Sequence, residues 1–581
     1  MRTTAATRRR GGTVLLTLAA GQFLMTLDTS VMNVSIATIA NDLGTTVTGI
    51  QTAITLYTLV MAMLMVTGGK IGALIGRRRA FAIGCVVYGC GSLTTSLAPG
   101  LGVLIVGWSV LEGLGAVLIM PAIVALVASN FEQAQRPRAY GLVASAGAIA
   151  VAVGPLVGGL VTTYFSWRWV FAGEVLIVLV ILVLARRMAD PERGERPALD
   201  FAGTALSALG LGLVVFGVLR SGTWGWILPR PGAPALLGLS LVLWLVLAGG
   251  VVLWLFLLWE HRRVARGREP LVDPAMLGDR RLRAGLTVFS GQYLIQAGLF
   301  FVVPLFLSIS LGLSTVETGL RLLPLSITLL AAAAGIPRLW PHISPRRVVR
   351  AGLVTLFVAL VAFFAALDAG AGPEVTTVPM LLAGLGIGAL ASQLGSVTVS
   401  AVPDERSSEV GGLQNTFTNL GASLGTALAG SVLIAVLTSS FLDGIRDNPA
   451  VPPQVTAQAE VQLAGGAPFV SDAALEANLA AAGVPAPTAQ GIVESNRDAR
   501  IQGLRAAIAV LALAAVVAVF FTRRIPEEQP GGSPGAGEDS RPSGPGGHSG
   551  GADGVTRAGG LAAPPGAGSP GRDEQHPVPP L

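Results

Sequence analysis

Three carboxylates stand where a carboxylate is expensive. Asp28, in "LDTSVMNVS" (27–35), is the only charged residue between Arg10 and Asp42. Glu112 lies in "GWSVLEGLGAVLIMPA" (107–122) and Glu174 in "WRWVFAGEV" (167–175). A charged side chain at the centre of a bilayer costs about 2.5–3.5 kcal/mol on insertion scales. Burial disfavours the ionised form of a carboxyl group unless a cation or several donors compensate. An acid so placed can load and release protons, which is the chemistry of a relay. The competing reading is a structural acid held by hydroxyls or by an arginine, and for Glu174 the nearby Arg168 is a candidate partner. Three acids in one half of the chain, with almost no intramembrane base, favour the relay.

Acids of this kind need helices that cross a bilayer. The chain has 581 residues, 52% hydrophobic and 12% charged, about half the charge fraction of a soluble protein. The charges fall between uncharged runs near 20 residues long, enough to cross about 30 Å of hydrocarbon as a helix. Fourteen spans are expected, at about 13–36, 50–68, 80–98, 103–127, 139–163, 169–187, 201–219, 235–259, 284–308, 316–336, 348–368, 376–401, 411–440 and 501–522. Lys and Arg flanking spans stay cytoplasmic. With the N-terminus inside, the inner flanks hold "RRR" (8–10), "GRRR" (76–79), Arg136, Arg138, Arg186, Arg187, the 262–283 cluster, Arg346, Arg347, Arg523 and Arg524. Both termini are therefore expected in the cytoplasm.

The spans group as six, two and six. The expected domains are a basic leader (1–12), a first six-helix bundle (13–187), a linker with two inserted helices (188–283), a second bundle (284–522) and a disordered Gly/Pro-rich tail (523–581). Within the second bundle, 441–500 is expected as a long outer loop, with seven acids and three arginines. In it "SDAALEANLAAA" (471–482) has a serine cap and suits a short surface helix. The first apolar run is too long for a signal peptide and lacks an A-x-A cleavage site. Cys85 and Cys90 share one span and point apart, as inert fillers. His261, His342, His548 and His576 lie in loops or the tail, and the sequence offers no convincing nucleophile–base set, metal-spaced His/Cys cluster or phosphate loop. An enzyme is not expected. Basic residues confined to short loops argue against nucleic acid. Polar side chains that could line a substrate cavity are Asn33, Tyr57, Gln292, Tyr293, Gln296, Gln393 and Asn415.

In the fifth span "GAIAVAVGPLVGG" (147–159) places Gly147, Gly154 and Gly158 on one smooth stripe, with Gly159 beside it. Gly154 and Gly158 form a GxxxG pair for close helix contact, and Pro155 bends the helix. Taken with "LDTSVMNVSIA" (27–37), "GGKIGALIGRRR" (68–79), "SWRWVF" (166–171), "LDFAG" (199–203), "WGW" (224–226), "LGLSTVETGLRLLPLSI" (311–327) and "GGLQNTFTNLGASLGTAL" (411–428), this string resembles the fourteen-span drug:proton antiporters of the major facilitator superfamily. "GPLVGG" matches their fifth-span antiporter motif. Gly69, Gly76, Arg77 and Arg78 match the loop after span two. The resemblance implies an all-α major facilitator fold of two six-helix bundles plus two extra central helices. It also implies proton-coupled efflux of drugs or other amphipathic small molecules by alternating access. The alternatives are an exporter dedicated to one metabolite or antibiotic, and a non-transporting sensor or assembly protein. The expected partners are a small-molecule substrate, protons and the lipid bilayer. A monomer in the plasma (inner) membrane, with no cofactor and no metal, completes the expectation.

This sequence departs from the family pattern at three places. The loop's usual Asp-Arg pair, which helps lock the halves together, is Ala73-Leu74. The fourth-span R-x-x-Q-G is Ser109-Val-Leu-Glu112-Gly113. Position 174, commonly Asn, is Glu. One membrane cation is lost and two acids are gained, so Glu112 could share the work of Asp28 or bind a cationic substrate.

Overall fold

The computed structural model describes residues 2–131, 136–186, 188, 199–230, 232–340, 343–368, 370–399, 407–463 and 466–525. The tail from 526 and most of the 188–200 connection lie outside the described residues. Apolar segments this long become helices because hydrocarbon offers backbone amides no partner, so each must bond within its own segment.

The first six long helices are α1 (Arg2–Val34), α2 (Val47–Ile75), α3 (Arg77–Ser96), α4, α5 (Arg136–Tyr164) and α6 (Trp167–Ala185). Helix α4 is composite: Leu101–Leu104, a π-helical stretch Ile105–Glu112, then Gly113–Asn130. Next come α7 (Phe201–Trp224) and α8 (Leu241–Ala265), joined through a two-stranded hairpin at Ala235–Leu236 and Leu239–Ser240. The remainder are α9 (Arg280–Leu305), α10 (Thr315–Leu339), α11 (Pro345–Ala366), α12 (Thr377–Val399), α13 (Ser407–Asp447) and α14 (Ala486–Phe521). Among the described residues twelve helices are long and apolar enough to cross a membrane, and up to thirteen if the bent helix α5 is one span.

Within the first bundle α1 packs on α5, and α3 packs on α4 and α6. In the second, α13 packs on α9 and α14, and α12 on α10 and α11. Two seams join them, α2 against α13 and α5 against α10. Helices α7 and α8 pair with each other, and α7 leans on α13 and α2. At that contact the Ser431 hydroxyl donates to the carbonyls of Val218 and Leu219 at 3.0 and 2.9 Å.

Helix α5 bends by 45° between 145–151 and 153–164. Pro155 has no N–H to give the Val151 carbonyl four residues back. That freed carbonyl accepts the Ser326 hydroxyl of α10 at 3.3 Å. The proline thus bends the helix and supplies a contact across the seam.

Beyond the apolar core the helices run further than the spans expected from hydropathy. Helix α13 continues to Asp447 and α14 begins at Ala486. Polar turns survive there because they bury Ile445 and Ile492 in the main apolar cluster. Between them, Pro453–Gln462 and Asp472–Ala481 are short helices, the second capped by Ser471, which accepts from the Ala474 N–H at 3.3 Å. Asp472 pairs with both Arg497 and the buried Arg500 of α14. The stretch 441–500 is therefore largely helical and docked.

Candidate functional site

The three acids meet. Asp28 on α1, Glu112 at the end of the π stretch of α4 and Glu174 on α6 each place a carboxylate oxygen within 4.8 Å of the others. Asp28 and Glu112 are fully buried and Glu174 is 1% exposed. Each carboxylate receives one donor and keeps one oxygen bare. Trp108 Nε1 donates to Asp28 Oδ1 at 2.8 Å, Ser92 Oγ to Glu174 Oε2 at 3.1 Å, and Thr95 Oγ1 to Glu112 Oε1 at 3.4 Å. Asp28 Oδ2, Glu112 Oε2 and Glu174 Oε1 have no hydrogen-bond partner among the described residues. No salt bridge reaches any of the three among the described residues. Three hard oxygens at this spacing would also suit a hard cation.

Arg168, the sequence's candidate partner for Glu174, bonds instead to Asp42 and to the Ala98 carbonyl. Trp167 Nε1 adds a second donor to Asp42 at 3.0 Å. The Arg168 guanidinium, with Trp167 assisting, holds the Asp42 carboxyl below the usual carboxylate range. This clamp fastens the turn after α1 to the start of α6 and leaves Glu174 to the acid cluster.

Glycines bring the cluster's walls together. A Cβ at Gly91 of α3 would lie 2.6 Å from Glu112 Cγ, and one at Gly107 would lie 2.7 Å from Thr95 Oγ1. The π stretch widens α4 where Trp108, Ser109 and Glu112 face inward, a distortion frequent at functional sites. Trp108 is fully buried and stacks on Tyr57, ring centroids 4.7 Å apart. The Ser109 hydroxyl donates to the Ala53 carbonyl of α2 at 2.8 Å. Tyr57 thus backs the tryptophan that holds Asp28. Sequence reading did not single out Trp108, Ser92 or Thr95. Trp108 stands four residues before Glu112, and Ser92 and Thr95 share a helical face, which is the signal that was there to use.

The other polar candidates are dispersed. Asn33 Nδ2 donates to the Thr29 carbonyl of its own helix at 2.7 Å. Gln292 is buried on α9 with Oε1 unpartnered, Tyr293 stacks on Phe289, and Gln296 is half-buried. Gln393 is buried on α12. Asn415 lines a cavity of about 390 Å³ between α2, α4, the connection after α8 and α13.

The glycine stripe of α5 serves two neighbours. A Cβ at Gly154 would lie 2.5 Å from Ser30 Cβ, and one at Gly158 2.8 Å from Val31 Cγ2, both on α1. Gly147 faces Gln22 and Thr26 more loosely. Gly159 faces the other bundle, where a Cβ would lie 2.7 Å from the Thr315 carbonyl oxygen of α10. Gly319 of α10 in turn meets the Pro155 carbonyl. Thr38 and Thr315 hydroxyls bond across the same seam at 3.0 Å.

At the opposite end, Gly76 links α2 to α3 with φ 102°, a conformation side chains resist. Gly69 packs on Pro121. The loop lacks its charge pair but is fastened otherwise. Lys70 donates to the Pro270 carbonyl, the next amide (Leu271) donates to Glu260 Oε2 at 2.8 Å, and Arg78 reaches the Met188 carbonyl at 3.0 Å. Glu260 sits beside Asp200, which caps α7 through the Gly203 N–H and pairs with Arg263 at 3.3 Å. The Thr67 and Thr204 hydroxyls bond at 3.0 Å. Helices α7 and α8 and the connections beside them therefore hold this loop.

The sequence profile of the Major Facilitator Superfamily matches residues 18–426. The chain belongs to this superfamily. Among similar facilitators, a puromycin resistance protein of Streptomyces alboniger is 31% identical over 75% of this chain and 84% of its own length. A tetracenomycin C resistance and export protein of Streptomyces glaucescens is 28% identical over 90% and 95%. The multidrug efflux pump LfrA of Mycolicibacterium smegmatis is 28% identical over 90% and 98%. A peptide transporter crystallised with sulfate shares the facilitator fold at 15% identity, covering 88% of this chain and 96% of its own, with a TM-score of 0.56. A bacterial homolog of the human lysosomal transporter Spinster, inward-facing and unoccupied, shares it with a TM-score of 0.54 at 15% identity over 89% and 98%. The protein is a multi-pass membrane transporter, not an enzyme.

Proposed function

We propose that this facilitator exports drugs or other amphipathic small molecules from the cytoplasm, driven by protons moving inward through Asp28, Glu112 and Glu174. The observation that carries this is the buried convergence of three carboxylates, with half their oxygens unpartnered among the described residues, on three helices of one bundle. Two unit charges 4.8 Å apart repel by at least about 3 kcal/mol at an effective dielectric of 20. Closed around itself, the cluster must therefore hold protons. Opened to water, it can release them. A proton crossing 100 mV yields about 2.3 kcal/mol, and a pH unit adds about 1.4. Together these support a several-hundred-fold gradient of a neutral substrate.

In this reading the chain crosses the plasma membrane fourteen times with both termini cytoplasmic. Helix α3, 20 residues long and so about 30 Å, and the bent α5 complete the count. The first bundle is 13–187, the inserted pair lies within 188–283, and the second bundle is 284–522. The Asp42 end then faces outward and the Arg77 end inward. The α5–α10 seam closes the outer side while the 390 Å³ cavity lies on the inner side. Asn33, Tyr57, Gln292, Tyr293, Gln296, Gln393 and Asn415 are the polar groups that would meet the substrate as the bundles rock, and the protein works as a monomer.

A second reading, export of one antibiotic only, is favoured by the relatives named for puromycin and tetracenomycin C. Proteoliposomes with an imposed pH gradient test both. Uptake of several unrelated dyes and drugs, abolished by a protonophore, fits the first reading. Uptake of a single chemotype fits the second, and none at all contradicts both.

A further inference from the structure

The cavity at the Arg77 end is more than a gap between bundles. Its volume of about 390 Å³ falls in the range of small-molecule sites. Met65 of α2, Pro121 and Val124 of α4, and Met276 and Leu413 from the other side give it apolar walls. Methionines adapt to ligands of different shape.

Its charges are unequally committed. Lys70 is engaged by the Pro270 carbonyl. Asp273 Oδ1 accepts the Ala275 N–H at 2.9 Å and caps Pro274–Gly278. Glu269 is exposed, where water screens it, and its carbonyl is taken by Arg263. Arg77 is half-buried, lines the cavity and makes no hydrogen bond or ion pair with any described residue. A guanidinium carries five donors in a planar fork suited to a carboxylate, sulfonate or phosphate. Ala73 lines the wall beside Arg77, so α2 brings no carboxylate to the cavity, and its acids, Glu269 and Asp273, come from the connection after α8.

We infer that this cavity binds an amphipathic organic anion, its charged group on Arg77 and its apolar body between Met65 and Met276. The inference builds on the export reading, since such a site at the inner mouth is where a cytoplasmic substrate would first be held. The ligand would touch α2, the connection after α8 and α13 at once, so its presence bears on whether the bundles separate there. A lipid headgroup phosphate offers the same chemistry as a free anion.

The test uses the full chain in phosphatidylcholine nanodiscs. Binding of a radiolabelled naphthalene sulfonate is compared with that of the uncharged sulfonamide. The wild type should prefer the sulfonate. Arg77→Gln should weaken sulfonate binding at least tenfold and leave the sulfonamide within twofold. Arg77→Lys should recover part of the loss. Met276→Trp, which fills the cavity, should weaken both. Phosphatidylglycerol competing in the wild type but not in Arg77→Gln would place lipid headgroups in the same site. No competition would reserve the site for free anions. A wild type without preference for the sulfonate, or Arg77→Gln and Met276→Trp variants that bind as the wild type does, would overturn the inference. Binding is read without a proton gradient, so a failure of proton-driven export leaves this result standing, and the reverse holds too.

Discussion

Gly159→Ala should open the α5–α10 seam. The added Cβ would lie 2.7 Å from the Thr315 carbonyl oxygen and 2.9 Å from Val316 Cα. Unstrained contacts of this kind need roughly 3.3–3.7 Å, so α5 and α10 must part by about 0.7 Å. The atoms met are backbone, which cannot rotate aside. Overpacking of this sort costs about 1–3 kcal/mol, and alanine returns up to about 1 through helix propensity. A net 1–2 kcal/mol moves the balance from closed to open by about 5- to 30-fold. Contacts such as Gly319 against the Pro155 carbonyl and Thr38 against Thr315 hold the same face. Spin labels at Tyr164→Cys and Leu320→Cys, both exposed positions, read the separation once Cys90 is replaced. The expected result is a second, longer distance population in Gly159→Ala. Gly154→Ala is the control. Its Cβ would press on Ser30 within the first bundle, so it should lower thermal stability without lengthening the distance. An unchanged distance distribution in Gly159→Ala would refute the reasoning that this glycine sets the seam.

Further outcomes follow from the site. Trp108→Phe keeps a ring against Tyr57 but removes the donor to Asp28. It should cost about 1–3 kcal/mol of stability, seen by thermal unfolding in detergent, and lower substrate-coupled proton flux. Asp42 is held below its ordinary value, so its pairing contributes stability above about pH 4 and loses it only as pH falls through the lowered value. Asp42→Asn should therefore lower the melting temperature slightly at pH 5–8, and the difference from wild type should shrink in stronger acid. The effect is small because the pair is partly exposed. Glu260→Ala frees the Leu271 amide and loosens the 269–273 connection. Protease cleavage in that connection should rise, whereas Glu269→Ala, whose side chain is exposed, should leave it unchanged.

Much of this was legible in the residues. Uncharged runs marked the helices, because a bilayer leaves so few alternatives. The glycine string marked a close contact, and Pro155 marked a bend. What could not be read was which residues meet. Counting residues along a span gives an acid's depth but not its neighbours, and the oxygens of Asp28, Glu112 and Glu174 lie within 4.8 Å of one another. Linear depth ignores tilt, the bend in α5 and the π stretch of α4. The partner of Arg168 was hidden for a similar reason: Asp42 is 126 positions away in sequence. Helix ends were misplaced at 440 and 501 because hydropathy reports lipid contact, whereas α13 and α14 continue by packing on each other and on the docked 453–481 segment. The hold on the Lys70 loop was unreadable too, since it depends on a carbonyl, Pro270 O, which any residue type could offer.

On the export reading, Asp28, Glu112 and Glu174 carry the driving ion. Purified protein in proteoliposomes, with a pH dye inside and a transported substrate added, measures it directly. The wild type should show substrate-dependent proton movement that is the same with or without sodium. Asp28→Asn should bind substrate but move no protons, and Glu112→Gln should lower the protons moved per substrate. Full proton movement in Asp28→Asn, or movement that requires sodium in the wild type, would contradict the account.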